Sequence, residues 1–86
     1  MTKRTVIWVA SAERELGEIW FACGHSPKVN QASYQIDRDL RSDAVRNTDP
    51  LSEGLRVIER RPLRAVVEIS DADMLVRVLS LSVVRM

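Results

Sequence analysis

Apolar residues near the start of the chain follow two different periods. Residues 5–9, which read Thr-Val-Ile-Trp-Val, are β-branched or aromatic and have polar flanks, so they predict a strand buried on both faces. Apolar side chains then recur three and four residues apart over residues 12–23. This spacing predicts an amphipathic helix with Cys23 on its buried stripe. Gly24 follows directly, where a glycine commonly closes a helix.

A second helix is predicted to begin at Ser26, which offers a capping hydroxyl and is followed by Pro27, a residue favoured in the first helical turn. Its apolar stripe runs from Val29 to Leu40. Because the connection between the two helices is very short, we expect them to form an antiparallel hairpin. Residues 42–54 lose this periodicity and contain asparagine, proline and glycine, which predicts a loop.

The last third of the chain changes to the period of two that is typical of strands. Residues 55–61 form one predicted strand, which ends before Pro62 because proline cannot donate to a sheet. Residues 63–70 and 74–84 form two more, joined by a turn that contains two aspartates. The pattern therefore predicts one α+β domain over residues 1–86 in the order β-α-α-β-β-β. Its two-helix antiparallel hairpin packs on a mainly antiparallel four-stranded sheet.

The turn between the last two strands also fixes a register. A two-residue loop at Ala72 and Asp73 places Glu68 opposite Arg77 and Arg64 opposite Leu81. Opposite charges in directly facing positions form a surface ion pair, so we interpret Arg77 as a structural residue.

Composition limits the class of protein. The chain has 86 residues, of which 45% are hydrophobic and 29% charged, a balance that fits one small globular domain. A single cysteine excludes an internal disulfide, and no apolar run is long enough for a signal peptide or a membrane span. We therefore expect a cytoplasmic protein. The one histidine, His25, has no neighbouring second ligand, so no metal or other cofactor is predicted.

Arginine dominates the basic residues, because only Lys3 and Lys28 of the 13 are lysines. The net charge of +1 does not by itself indicate a nucleic-acid-binding protein. Arginine is nevertheless concentrated where the sheet is predicted, and its planar guanidinium suits phosphate well. The alternative is a coding bias towards arginine combined with solvated strand faces. The arginines concerned are Arg56, Arg60, Arg61 and Arg64.

The order of elements and several short words resemble the RelE/ParE superfamily of toxins from bacterial type II toxin–antitoxin (plasmid-stabilisation) modules. The matching words are Val6-Ile7-Trp8 with Ala12, Glu15-Leu16 and Ile19-Trp20; Ala32 with Ile36-Asp37 and Leu40; Gly54-Leu55-Arg56-Val57; Pro62-Leu63-Arg64-Ala65-Val66-Val67-Glu68-Ile69; and Val76-Arg77-Val78-Leu79. The resemblance covers nearly the whole chain, and the order and spacing of the words carry it.

The resemblance implies two classes of activity. RelE-like toxins are endoribonucleases (mRNA interferases) that cleave messenger RNA on the ribosome, using basic residues of the sheet and a residue near the C-terminus. ParE-like toxins act on DNA gyrase instead. Both are held inactive by an antitoxin protein, so the resemblance implies that partner, with assembly as a homodimer or as a heterotetramer with the antitoxin. A catalytically inactive member that acts only by protein binding is a further alternative, as is a small nucleic-acid-binding domain.

The candidate site residues follow from this resemblance. Arg64 matches the sheet arginine that RelE-like toxins place on the phosphate, and Arg56 and Arg85 complete the candidate catalytic set. RNA or phosphate binding is expected from Arg56, Arg60, Arg61 and Arg64. The predicted sheet has no lysine, tyrosine or histidine, and arginine is a poor general base because it stays protonated. The carboxylates of Glu59 and Glu68 are the candidate bases, but a role in balancing neighbouring arginines is the favoured interpretation of both.

Overall fold

The computed structural model describes residues 4–84, and it has two helices packed on one face of a five-stranded sheet. The strand order across the sheet is β1-β5-β4-β3-β2, with β1 and β5 parallel and the other pairs antiparallel. Arg85 lies outside the described residues. The elements are β1 (Thr5–Trp8), α1 (Ala10–Ala22), α2 (Pro27–Asp43), β2 (Asp49–Ser52), β3 (Leu55–Arg60), β4 (Leu63–Ser70) and β5 (Leu75–Val83).

The α+β class and the element order are confirmed, but the prediction of four strands was wrong. The additional strand, β2, lies inside the segment that the sequence predicted to be a loop, and it pairs with β3. Every residue of β2 is exposed, so no buried stripe marks it in the sequence. Pro50 is tolerated there because β2 is an edge strand with one side free of ladder hydrogen bonds.

The first strand is not buried on both faces as predicted. Val6 is buried against the helices, whereas Ile7 on the opposite side is 40% exposed. The helices cover only one face of the sheet, and β1 lies at its edge. In this protein a continuous apolar run therefore forms an edge strand that is buried on one face and exposed on the other.

Local sequence signals set the ends of the two helices as expected. His25 N–H donates to the Trp20 carbonyl at 2.8 Å, and Gly24 N–H donates to the Phe21 carbonyl at 3.1 Å. These two hydrogen bonds are the pair that closes a helix through a residue in the left-handed conformation. Gly24 is that residue, with a φ of 68°. Ser26 accepts a hydrogen bond from the Lys28 N–H at the start of α2. The prediction that Cys23 is buried was wrong, because this residue is the C-cap of α1 and is exposed.

The core lies between the helices and the covered face of the sheet. Ala12 of α1 is fully buried, and four residues of α2 line the same space at helical spacing. No helix within residues 4–84 is long and apolar enough to cross a membrane. The largest fully buried side chains are Val29, Ile36, Leu40, Ile58, Leu63, Val67, Val76 and Val78.

The register between β4 and β5 agrees with the prediction at one end and departs from it at the other. Glu68 pairs with Arg77, and their side chains approach to 3.2 Å, as predicted. Arg64 instead pairs with Ser82, because the register shifts between Val66 and Val67. An irregularity of this kind inserts an extra residue on one strand, which moves every later pair by one position.

Candidate functional site

The face of the sheet that points away from the helices is open, and it carries most of the polar chemistry of β3, β4 and β5. Directly paired residues lie on the same face of an antiparallel sheet, so the buried pair Ile58 and Ala65 marks the covered face. The neighbouring pair, Glu59 and Arg64, therefore lies on the open face. The residues of this open face in the three strands include Leu55, Val57, Glu59, Arg64, Val66, Glu68, Arg77, Ser80 and Ser82.

The predicted arginine cluster does not form one surface. Arg56 and Arg60 flank Ile58 on the covered face, where they pair with Val67 and Leu63. The alternation of side chains along β3 puts Arg56, Ile58 and Arg60 on one face. The face that they share is the one under the helices, so Arg64 lies on the other side of the sheet.

Arg56 is held at the end of α2 by three hydrogen bonds. Its Nε donates to the Thr48 Oγ1 at 2.6 Å, and one terminal nitrogen donates to the carbonyls of Thr48 at 3.0 Å and Val45 at 3.2 Å. Thr48 is itself buried and donates to the Ala44 carbonyl. Arg56 thus satisfies carbonyls beyond the C-terminus of a helix, which have no partner within the helix.

Arg60 connects the sheet to the middle of α2. Its Nε lies 2.8 Å from the Asp39 Oδ2, and a terminal nitrogen donates to the Glu59 carbonyl at 2.8 Å. The side chains of Arg60 and Asp39 are only 30% and 19% exposed. A partly buried ion pair between a strand and a helix holds the two layers in register, so this arginine is engaged inside the protein.

The open face brings Glu59, Arg61 and Arg64 together at the end of the β3–β4 hairpin. Glu59 pairs directly with Arg64 across the two strands, and its Oε2 lies 3.5 Å from the Arg61 Nε. Arg64 is half-buried and forms no ion pair within residues 4–84. The Glu59 carboxylate therefore pairs with the Arg61 guanidinium and lies on the strand position directly opposite Arg64, on a surface that no described element covers.

This arrangement can bind a phosphate and accept a proton. The guanidinium of Arg64 offers several N–H donors in a fixed plane, which matches two phosphate oxygens. Glu59, with 43% of its side chain exposed, is the neighbouring proton acceptor. Within residues 4–84 no group of histidine, cysteine and carboxylate side chains is arranged to hold a metal ion.

The pairing of Glu59 with Arg64 was not identified from the sequence, although the sequence contains the signal. Two residues, Arg61 and Pro62, connect β3 to β4. A two-residue turn places the residues on either side of it opposite one another and fixes every pair beyond. The concentration of arginine predicted one surface for Arg60 and Arg64, whereas the length of the turn pairs Arg64 with Glu59.

The fold is similar to that of chains in two solved toxin–antitoxin structures. The chain is similar to a chain of the toxin–antitoxin complex RelBE2 from Mycobacterium tuberculosis, with a TM-score of 0.79 and 23% sequence identity over 96% of this chain and 93% of that chain. It is also similar to a chain of the chromosomal ParDE system from P. aeruginosa, with a TM-score of 0.69 and 18% identity over 99% and 100% of the two chains. No family model and no curated protein matches the sequence. The chain therefore has the RelE/ParE-type toxin fold that its sequence resemblance implied.

Proposed function

We propose that this protein is the toxin of a type II toxin–antitoxin module and that it cleaves messenger RNA on the ribosome through the open face of its sheet. The fold supports the toxin class. The observation that supports RNA cleavage is the direct pairing of Glu59 with Arg64 on an uncovered surface. The proposed partners are a cognate antitoxin protein, which inhibits the toxin, and the ribosome with its bound message.

Cleavage by the 2′-hydroxyl of RNA needs a base for that hydroxyl and positive charge around the phosphate. In the proposed reaction Glu59 takes the proton of the 2′-hydroxyl, whose oxygen attacks the adjacent phosphorus. Arg64 and Arg61 bind the phosphate oxygens, which gain negative charge as the attack proceeds. The bond to the 5′-oxygen breaks, water protonates that leaving oxygen, and a cyclic phosphate remains on the upstream fragment.

The arginines on the covered face have a different role in this proposal. Arg56 and Arg60 hold α2 against β3 through Thr48 and Asp39, which keeps the strand that carries Glu59 in position. They contribute to activity through stability rather than by contact with RNA. A contribution from Arg85 near the C-terminus remains a prediction of the sequence.

Induction of the protein in bacteria tests the function. The expected result is growth arrest with messages cut at defined codon positions, measured by sequencing of the 5′ ends of the fragments. Arg64→Gln should abolish cleavage because it removes the charge that binds the phosphate, and Glu59→Gln should reduce it by roughly 100-fold or more. Co-expression with the cognate antitoxin should restore growth.

The matched control is Arg77→Gln, which removes a guanidinium from the same face without touching the Glu59–Arg64 pair. Arg77 already has an acidic partner, Glu68, at 3.2 Å, so we expect cleavage to be retained. Full cleavage by Arg64→Gln, or equal loss in Arg77→Gln, would contradict the assignment. Absence of any growth arrest on induction of the wild-type chain would contradict the toxin function itself.

A second candidate function is inhibition of DNA gyrase, or protein binding without catalysis. The strands contain no lysine, tyrosine or histidine, so the proposed RNA site depends on a carboxylate, that of Glu59, as its base. Growth arrest with intact messages and with linear, cleaved chromosomal DNA would favour gyrase. The same induction experiment therefore separates the two activities.

A further inference from the structure

The register shift between β4 and β5 decides which side chain of β5 lies next to Arg64. In an unbroken ladder Arg64 would face Leu81. The shift occurs two residues further along β4, so that Arg64 pairs with Ser82 instead. Leu81 stays on the covered face, where it is 5% exposed, and the exposed Ser82 lies on the open face. Irregularities of this kind are common beside active sites, where they redirect a side chain. Here they place a hydroxyl rather than a leucine beside the guanidinium.

Three side chains therefore form one row across the open face. Glu59 on β3 pairs with Arg64 on β4, and Arg64 pairs with Ser82 on β5. Directly paired residues share a face of the sheet, and neighbouring strands lie about 4.8 Å apart. The backbone positions of Glu59 and Ser82 are thus about 10 Å apart, on opposite sides of Arg64. The row has a carboxylate at one end, a hydroxyl at the other, and the guanidinium proposed to bind phosphate between them.

The hydroxyl of Ser82 is available to a ligand. Its Oγ has no hydrogen-bond partner within residues 4–84. The backbone on both sides of it is nevertheless fixed. Leu81 N–H donates to the Glu15 Oε1 of α1 at 3.3 Å, and Val84 N–H donates to the Pro62 carbonyl at 2.8 Å. Ser82 is thus held in place by its backbone, while its side chain can bind a substrate oxygen.

The order of this row matches the geometry of phosphate-ester cleavage. In an in-line displacement the attacking and leaving oxygens lie on opposite sides of the phosphorus. In the proposed reaction the attacking 2′-oxygen lies beside Glu59 and the phosphate beside Arg64. The leaving 5′-oxygen then points away from Glu59 and towards Ser82. With a hydrogen bond of about 2.7 Å at each end, the row leaves about 4–5 Å between the two oxygens, which is room for one phosphorus.

We propose that Ser82 is a further catalytic residue of this site and that it stabilises the leaving 5′-oxygen. The inference rests on the proposed ribonuclease function. As the bond from phosphorus to the 5′-oxygen breaks, its electron pair stays on that oxygen, and the Ser82 O–H donates a hydrogen bond to it. Water then gives the oxygen a proton. The resulting hydroxide takes the proton that Glu59 removed from the 2′-hydroxyl, so both side chains return to their starting states.

A sulfur atom at the leaving position tests this role. Ribosomes are programmed with a short synthetic message that has either oxygen or sulfur as the bridging 5′-atom at the cleavage position, and single-turnover cleavage is measured at saturating toxin. Sulfur is a weak hydrogen-bond acceptor, and a thiol is a much stronger acid than an alcohol, so a thiolate leaves without a donor. Ser82→Ala should cleave the oxygen message roughly 10- to 100-fold more slowly than wild type, and the sulfur message at the wild-type rate.

Three further variants separate this role from an effect on the fold or on the attacking oxygen. Ser82→Thr keeps the hydroxyl and should cleave both messages at close to the wild-type rate. Ser80→Ala removes the hydroxyl of the next row of the open face, opposite Val66, and should also match wild type with both messages. Glu59→Gln acts on the attacking oxygen, so it should remain slow with both messages.

The leaving atom distinguishes the outcomes. Equal cleavage of the oxygen message by wild type and Ser82→Ala would overturn the proposal and leave the ribonuclease function intact. An equal loss with both messages would also overturn it, because a defect in folding does not depend on the leaving atom. The same is true if sulfur restores Glu59→Gln, or if Ser80→Ala shows a loss that sulfur relieves. If the wild-type chain cleaves neither message, the proposed ribonuclease function fails, and the role of Ser82 fails with it.

Discussion

The different engagement of Arg56 and Arg64 predicts that the two arginines affect different properties of the protein. Both carry one guanidinium on neighbouring strands, and both were expected to bind phosphate. Arg56 makes three hydrogen bonds to Thr48 and Val45 on the covered side. Arg64 makes no ion pair within the described residues and lies on the open face. Substitution of Arg56 should therefore lower stability, and substitution of Arg64 should lower activity alone.

The size of the stability effect follows from these contacts. Each hydrogen bond to a partly exposed charged group contributes about 1 kcal/mol, so Arg56→Gln should cost about 2–3 kcal/mol. Domains of this size have about 0.05–0.15 kcal/mol of stability per residue, so this loss is a large fraction of the total. Arg56→Lys should recover only part of it, because one ammonium group cannot reach three separate acceptors. Arg64→Gln, on the surface, should change stability by about 0.5 kcal/mol or less.

Urea unfolding of the purified chains, followed by far-UV circular dichroism, measures this difference. A urea dependence of about 1 kcal/mol per molar converts the expected loss for Arg56→Gln into a midpoint lower by roughly 2–3 M. The midpoint of Arg64→Gln should lie within roughly 0.5 M of wild type. Equal midpoints for wild type and Arg56→Gln would refute the structural role of Arg56. A large loss for Arg64→Gln would refute its placement on the open face.

Three further substitutions test other parts of the structure. Ser26→Ala removes the hydroxyl that caps α2 and should cost about 1 kcal/mol in urea unfolding, with no loss contradicting the cap. A double-mutant cycle on Glu68 and Arg77 should give a coupling of about 0.2–1 kcal/mol that decreases in high salt, and a salt-independent coupling would argue against a surface ion pair. Ile36→Ala empties a fully buried position and should cost about 2–5 kcal/mol, whereas a loss below about 1 kcal/mol would mean that this position is not tightly packed.

Local signals in the sequence were enough to predict most of the secondary structure. The helix boundaries near Gly24 and Ser26 depend on capping by residues within a few positions, so the sequence states them directly. Strand β4 depends on an alternation of buried and half-buried residues over its first six positions, which is also a local pattern. Strand β2 lacks such a pattern, because all of its residues are exposed and only its backbone pairs with β3.

The sequence by itself determined the α+β class, the order of the elements, the concentration of arginine and the Glu68–Arg77 pair. Only the tertiary structure decided which face of the sheet the helices cover. That choice places Arg56 and Arg60 beneath α2, and it leaves Arg64 beside Glu59 on the open side. The physical reason is that β3 has apolar residues on both of its faces, Leu55 and Val57 on one and Ile58 on the other, so its alternation defines two faces but does not say which of them a distant helix will bury.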